Sequence, residues 1–215
     1  MRLANCIVLI VSLLLSHTSK AQTLFVERRQ RAAAAFHDGL VLLHASSRAE
    51  LLADGFHQNP YFYYFTGLEN TVGALLAIDG KCGDSWLFLS QNLPYNRAGL
   101  QPDVRPGVED AKRLGIEHVV DWANLESFLA SRSTQPTVFY YAGEPVVLNE
   151  LPVQLQNAKN PEAPLWLQMI LQRWPAFEAK EASRQIDELL EVQSEEETAK
   201  LRGAAKTTVS ALMAG

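Results

Sequence analysis

Gln58-Asn59-Pro60-Tyr61-Phe62-Tyr63-Tyr64-Phe65-Thr66-Gly67-Leu68 is the most informative stretch of this 215-residue sequence. Aromatic side chains are enriched on half-buried pleated surfaces, so Phe62–Thr66 reads as a core strand closed by Gly67. Downstream, Gly73–Ile78 and Ser85–Leu89 flank the Asp79-Gly80 turn and read as an antiparallel hairpin. Upstream, residues 25–38 lack Pro and Gly and carry a run of alanines. They read as a helix stopped by Asp38-Gly39, with a buried strand over Leu40–His44. Beyond the hairpin, Val108–Leu114 reads as a helix ended by Gly115, Val119–Trp122 as a short strand and Asn124–Arg132 as a helix. Val138–Tyr141 is a further strand, closed by Ala142-Gly143. Glu144–Pro164 holds four prolines and reads as loop, after which Pro164 opens an apolar helix that runs to Arg173. Helices alternate with strands, which predicts an α/β fold: a mixed β-sheet flanked by helices.

Both ends of the chain differ from this body. Arg2 precedes an apolar run over Ile7–Leu15, and Ser19-Lys20-Ala21 places small residues at both ends of a three-residue cleavage site. This is the layout of a secretory signal peptide, and the run falls well short of the roughly 20 residues that span a bilayer. The expectation is cleavage after Ala21, a chain exported to the periplasm or medium, and no stable membrane anchor. Cys6 precedes the apolar run and is not placed for lipid attachment. At the other end, Ser194-Glu195-Glu196-Glu197 forms a capping box, in which the serine hydroxyl accepts a backbone N–H three residues on and Glu197 reaches back. A helix is expected from residue 195, with Leu201, Ala205, Thr208 or Val209, and Leu212 along one face. The sequence stops while that helix is running, which is read as pointing to sequence beyond Gly215.

Composition narrows the function. Loss of residues 1–21 removes Arg2 and Lys20 and no acids, leaving 17 basic and 24 acidic residues and a formal charge of −7. That balance argues against a nucleic-acid partner, which needs clustered Lys and Arg. Cys82 alone survives cleavage, so no intrachain disulfide forms, and it lies in a turn with no base beside it. His37, His44, His57 and His118 show no paired metal-ligand spacing and read as structural. Asp79 and Asp84 flank the turn with too few oxygen ligands following for a calcium loop. Neither a nucleophile elbow nor a phosphate loop is present. No catalytic, cofactor-binding or metal-ligating residue is assigned.

The aromatic stretch resembles the Gln-Asn-x-x-Phe-x-Tyr-Phe/Leu-Thr-Gly segment of Xaa-Pro aminopeptidase (aminopeptidase P) N-terminal domains. Val72–Ile78 follows at the family's spacing, and Arg28-Arg29 matches its usual paired arginines. Val192-Gln193-Ser194-Glu195-Glu196-Glu197 with Leu201-Arg202 resembles the junction into the catalytic domain, usually Lys-Ser-Pro-Glu-Glu-Ile and then Leu-Arg-Arg-Ala. Gln193 stands in place of Lys, the Pro is missing, and Gly203 replaces the second Arg. The resemblance implies residues 22–185 as a creatinase/aminopeptidase P N-terminal-type domain. It further implies 186–215 as a linker and the first helix of a pita-bread catalytic domain.

What this resemblance implies is an exopeptidase that removes the residue preceding proline, in which two divalent ions, manganese by resemblance, activate a water. Substrates would be peptides with proline at the second position, and the full-length enzyme would form homo-oligomers. The family's metal ligands (two Asp, one His and two Glu) lie in the later domain, and none of their motifs occurs before Gly215. The alternatives are a stand-alone module that binds a partner or dimerises, and a fragment of a prolidase or creatinase relative.

Overall fold

The computed structural model of the protein describes residues 22–46, 57–90, 103–134, 137–143, 163–191 and 195–214. The expected signal peptide, Ser194 of the capping box and all but the end of the expected loop at 144–164 lie outside these residues. In chain order the elements are α1 (22–35), β1 (Gly39–His44), α2 (Pro60–Thr66), β2 (Leu75–Asp79), β3 (Ser85–Leu89), α3 (Val108–Leu114) and β4 (His118–Asp121). They continue with α4 (Asn124–Arg132), β5 (Thr137–Tyr141), α5 (Leu165–Arg173), β6 (Phe177–Glu181), α6 (Ser183–Leu190) and α7 (Glu195–Ala214).

The strands form one six-stranded sheet in the order β4-β3-β2-β1-β5-β6. β2 pairs antiparallel with both neighbours, Val41 opposite Ile78 and Ala77 opposite Trp86. β3–β4, β1–β5 and β5–β6 are parallel. Five strands therefore point one way and β2 runs against them.

Strand alternation sends side chains to two different cores. Val41, Leu43, Leu76, Ile78, Leu87, Leu89 and Val119 face one side, where α1, α2, α3 and α6 cover them. Leu40, Leu42, Leu75, Ala77, Phe88, Phe139 and Phe177 face the other, under α4 and α5. A strand buried on both faces has no polar positions to alternate with, which is why Leu40–Leu43 and Leu75–Ile78 read as unbroken apolar runs. The edge strand β6 differs: Phe177 and Ala179 point inward, while Glu178 and Lys180 are exposed.

Three readings of the sequence need correction. The aromatic run is a helix, not a strand. Asn59 caps α2 by accepting from the Tyr61 and Phe62 N–H groups, and Pro60 supplies a first-turn residue whose missing N–H costs nothing. Gly67 ends the helix at φ 71°, where a Cβ would lie 2.5 Å from the Phe25 ring. Phe62, Phe65 and Thr66 are buried while Tyr63 is exposed, a spacing of three and four rather than two. Second, the first helix runs over residues 22–35 and a turn follows. Gly39 opens β1 instead of capping the helix, and a Cβ there would lie 2.4 Å from the Val138 carbonyl oxygen. Third, β6 went unread because its three charged residues mask a two-residue inward pattern.

Near the C-terminal end, α6 straddles residue 185, with Ile186 fully buried on the first core and Leu189 and Leu190 packed against it. α7 starts at Glu195, where the acidic cap sequence places it. Its Val209, Leu212 and Met213 are exposed.

The helical reading of the aromatic run makes a direct prediction. Phe62→Ala and Phe65→Ala should each destabilise the protein by about 3–5 kcal/mol. Tyr63→Ala should change stability by no more than about 0.5 kcal/mol. Denaturant unfolding of the three variants checks it; a strand would instead make positions 63 and 65 behave alike.

Candidate functional site

Arg28 and Arg29 sit in the middle of α1, yet both are buried, at 5% and 3% exposure. Burying a guanidinium costs several kcal/mol unless its donors are met. Arg29 meets them with backbone carbonyls at the ends of two other helices: Nη1 donates to Phe65 O at 2.7 Å, and Nη2 to Leu114 O at 3.0 Å and Gly115 O at 2.6 Å. These acceptors belong to the last turns of α2 and α3, where carbonyls lack helical partners and the macrodipole is negative. Arg28 donates to Tyr64 O at 2.8 Å and lies 3.9 Å from the centre of the Tyr64 ring. Burial pushes the Arg29 guanidinium down to about 10, against a smaller upward pull from Glu117, so it stays charged at neutral pH.

The aromatic segment returns the contacts. Tyr64 donates its hydroxyl to Leu189 O of α6 at 2.8 Å. The Tyr61 hydroxyl is raised above its usual value, first by burial and then by its hydrogen bond to Asp187 of the same helix. Gln58 accepts from the Ser46 N–H at 2.8 Å and donates to Thr71 O at 2.7 Å, tying the end of β1 to the loop before β2. The paired arginines and the Gln-Asn-Pro-aromatic stretch are thus two halves of one junction.

Beside it opens a cleft of about 780 Å³, lined by Gln22, Phe25, Glu69, Asn70, Asp103 and Arg113 among others. Asp103 accepts from the Asn70 backbone N–H at 2.7 Å and from its side-chain amide at 3.3 Å. Arg113 donates to Asp103 O at 2.8 Å and to Asp110 at 2.6 Å. Asn70, Asp103 and Arg113 of its wall are thus already paired with one another. Gln22 and Asp103 were given no role from the sequence, and Gln58 was read only as part of the aromatic stretch, because each acts through a contact more than ten residues away. The one local signal was Asn-Pro at the start of α2.

The residues weighed for chemistry are scattered. His44 ends β1 and stacks on Trp166, with ring centres 5.4 Å apart. His118 begins β4 and stacks on Trp86 at 3.7 Å. With β1 and β4 parallel, the two lie at opposite ends of the strands. His37 and His57 are exposed elsewhere. Among the described residues no group of three His, Cys, Asp or Glu could hold a metal ion, so they do not fit a two-ion centre. Asp79 is engaged by Arg132 at 2.9 Å and by the Lys81 N–H at 2.9 Å. Burial alone would raise its carboxyl, but those two hydrogen bonds and the Arg132 charge hold it below 3.8. Burial, Asp79 and Asp84 push the exposed Cys82 thiol up, against a backbone hydrogen bond at Asp84, which lowers its reactivity.

A family model described as the aminopeptidase P N-terminal domain matches residues 25–140, which hold both halves of the arginine–aromatic junction. The chain belongs to this family. Solved aminopeptidase P structures share the fold. A Bacillus anthracis chain assigned as an aminopeptidase P matches with a TM-score of 0.62 at 18% identity, over 83% of this chain and 42% of that one. Proline aminopeptidase P II from Yersinia pestis matches with a TM-score of 0.57 at 21% identity, over 86% of this chain and 42% of its own. Aminopeptidase P from E. coli with the inhibitor Pro-Leu matches with a TM-score of 0.60 at 20% identity and the same coverage. This aminopeptidase P-type chain thus spans less than half the length of the structures it resembles. No curated protein sequence matches it.

Two predictions follow from these contacts. Arg29→Met should destabilise the domain by about 3 kcal/mol or more, since it strands partly buried carbonyls. Arg29→Lys should recover only part of that loss, because one ammonium cannot span both helix ends; thermal unfolding of both variants gives the answer. The second concerns Asp79. Its folded pKa lies below the unfolded 3.8, so the stability it contributes is complete above that value and vanishes as pH falls through the folded one. The stability gap between the wild type and Asp79→Asn should therefore hold from neutral pH to about pH 4 and close below it, as urea unfolding across that range will show.

Proposed function

We propose that this chain is the N-terminal part of an exported Xaa-Pro aminopeptidase, a peptidase that releases the residue preceding proline. The observation that carries the reading is the family match across the arginine–aromatic junction, in a chain spanning 42% of the solved relatives' length. Proline's ring removes the amide N–H and fixes φ, so peptides with proline second call for a dedicated site. The reading includes two divalent ions, manganese by resemblance, supplying an activated water. The described residues do not fit such a centre, and the reading assigns its ligands, by resemblance, to the later catalytic domain. Assembly of the full-length enzyme into homo-oligomers is part of the same reading. Export with cleavage after Ala21 is supported by Arg2, the apolar run Ile7–Leu15 and the small residues Ser19 and Ala21.

The test is release of the first residue from an Xaa-Pro-Pro peptide with added manganese, by this chain and by the product extended with the coding sequence after Gly215. The expected result is no release by the chain alone and metal-dependent release by the extended product. Metal-dependent release by the chain alone, surviving repurification, would overturn the assignment of chemistry to a later domain.

A further inference from the structure

Gln22 has no part in the junction, yet its side chain is engaged. Its side-chain Nε2 donates to Lys112 O at 2.6 Å, across 90 residues of sequence. That carbonyl lies in the last turn of α3, where backbone acceptors lack helical partners, and it also receives the Gly115 N–H at 3.3 Å. Gly115, at φ 59°, keeps the space open. A Cβ there would lie 3.4 Å from Gln22 Nε2 and 2.5 Å from Val26 Cγ2.

We infer that Gln22 is a labile N-terminal residue which the fold protects from cyclisation by holding its side-chain amide on the end of α3. The inference rests on the proposed cleavage after Ala21, which would make Gln22 the first residue. A free N-terminal glutamine closes on itself. The neutral α-amino nitrogen attacks Cδ and a new N–Cδ bond forms. The Cδ–Nε2 bond breaks, and Nε2 leaves as ammonia, carrying a proton from the amine. The product is a neutral lactam, and no oxidant or co-reactant is needed. Attack requires the side chain to fold back on its own backbone nitrogen. Here it reaches away to another helix, and ring closure would also eliminate the Nε2 donor that Lys112 O accepts. The native N-terminus therefore stays a free amine, and lactam at position 22 marks chains that have been unfolded.

The 215-residue chain would be expressed with its leader, the exported product purified, and its N-terminal peptide followed by mass spectrometry during incubation at neutral pH. A synthetic peptide of residues 22–30 in the same buffer is the unfolded reference. The expected result is a product beginning at Gln22 whose loss of ammonia is slower than the peptide's by at least about fivefold, the factor that one ordinary hydrogen bond confers. Equal rates would overturn the protection while leaving the cleavage reading intact. A product beginning at another residue would overturn the cleavage reading and the inference with it.

Discussion

Arg29 carries its charge into the interior, and the geometry of one half of the molecule follows from how that charge is met. A guanidinium presents donors in a rigid planar fork, so its acceptors must converge from fixed directions. Phe65 O, Leu114 O and Gly115 O do so only if α2 and α3 end at the same point on either side of α1. Two helix C-termini facing each other would repel through their dipoles; the cation between them turns that repulsion into attraction. Arg28 adds a second anchor on Tyr64, whose hydroxyl reaches α6. Four helices on one face of the sheet are thereby fixed by two adjacent residues and one aromatic ring.

The opposite face is organised mainly by packing. Phe88 meets Phe128 edge-on and Phe139 meets Phe177 with tilted rings, in one cluster with Leu40, Leu42 and Leu167. The Arg132–Asp79 pair closes this layer where β2 ends, with Arg132 lying 3.8 Å from the Phe128 ring centre. Polar specification on one side and apolar filling on the other are consistent with the family signature falling on the first face. Side chains that must meet particular carbonyls tolerate fewer replacements than side chains that fill volume.

Much of this was legible in the sequence. Helices α3 and α4, the β2–β3 hairpin and the start of α7 fall at or near the residues that their glycines, turn and acidic cap indicate. The aromatic run was misread because five consecutive aromatics carry strong strand propensity, while the opposing signals were single residues, Asn59, Pro60 and Gly67. Capping chemistry outweighed propensity there, since a capped helix in contact with buried arginines gains more than propensity offers. β6 escaped notice because an edge strand buries only alternate residues, and Phe177 and Ala179 are too few to show a period. The junction itself was visible as two recognisable motifs. Its function was not, since nothing local says that Arg29 meets the carbonyl of Phe65.

The sheet's connectivity also sets an order of events in time. Its central parallel pair joins Gly39–Leu42 to Val138–Tyr141, strands separated by about a hundred residues. The β1–β2–β3 meander can form early, but one edge of β1 stays open until β5 has been synthesised and the intervening chain has closed its loop, an entropic cost met before any contact rewards it. Under the proposed export, a chain that must stay unfolded to cross a membrane would gain from this delay: the contact that completes its core is among the last its topology allows.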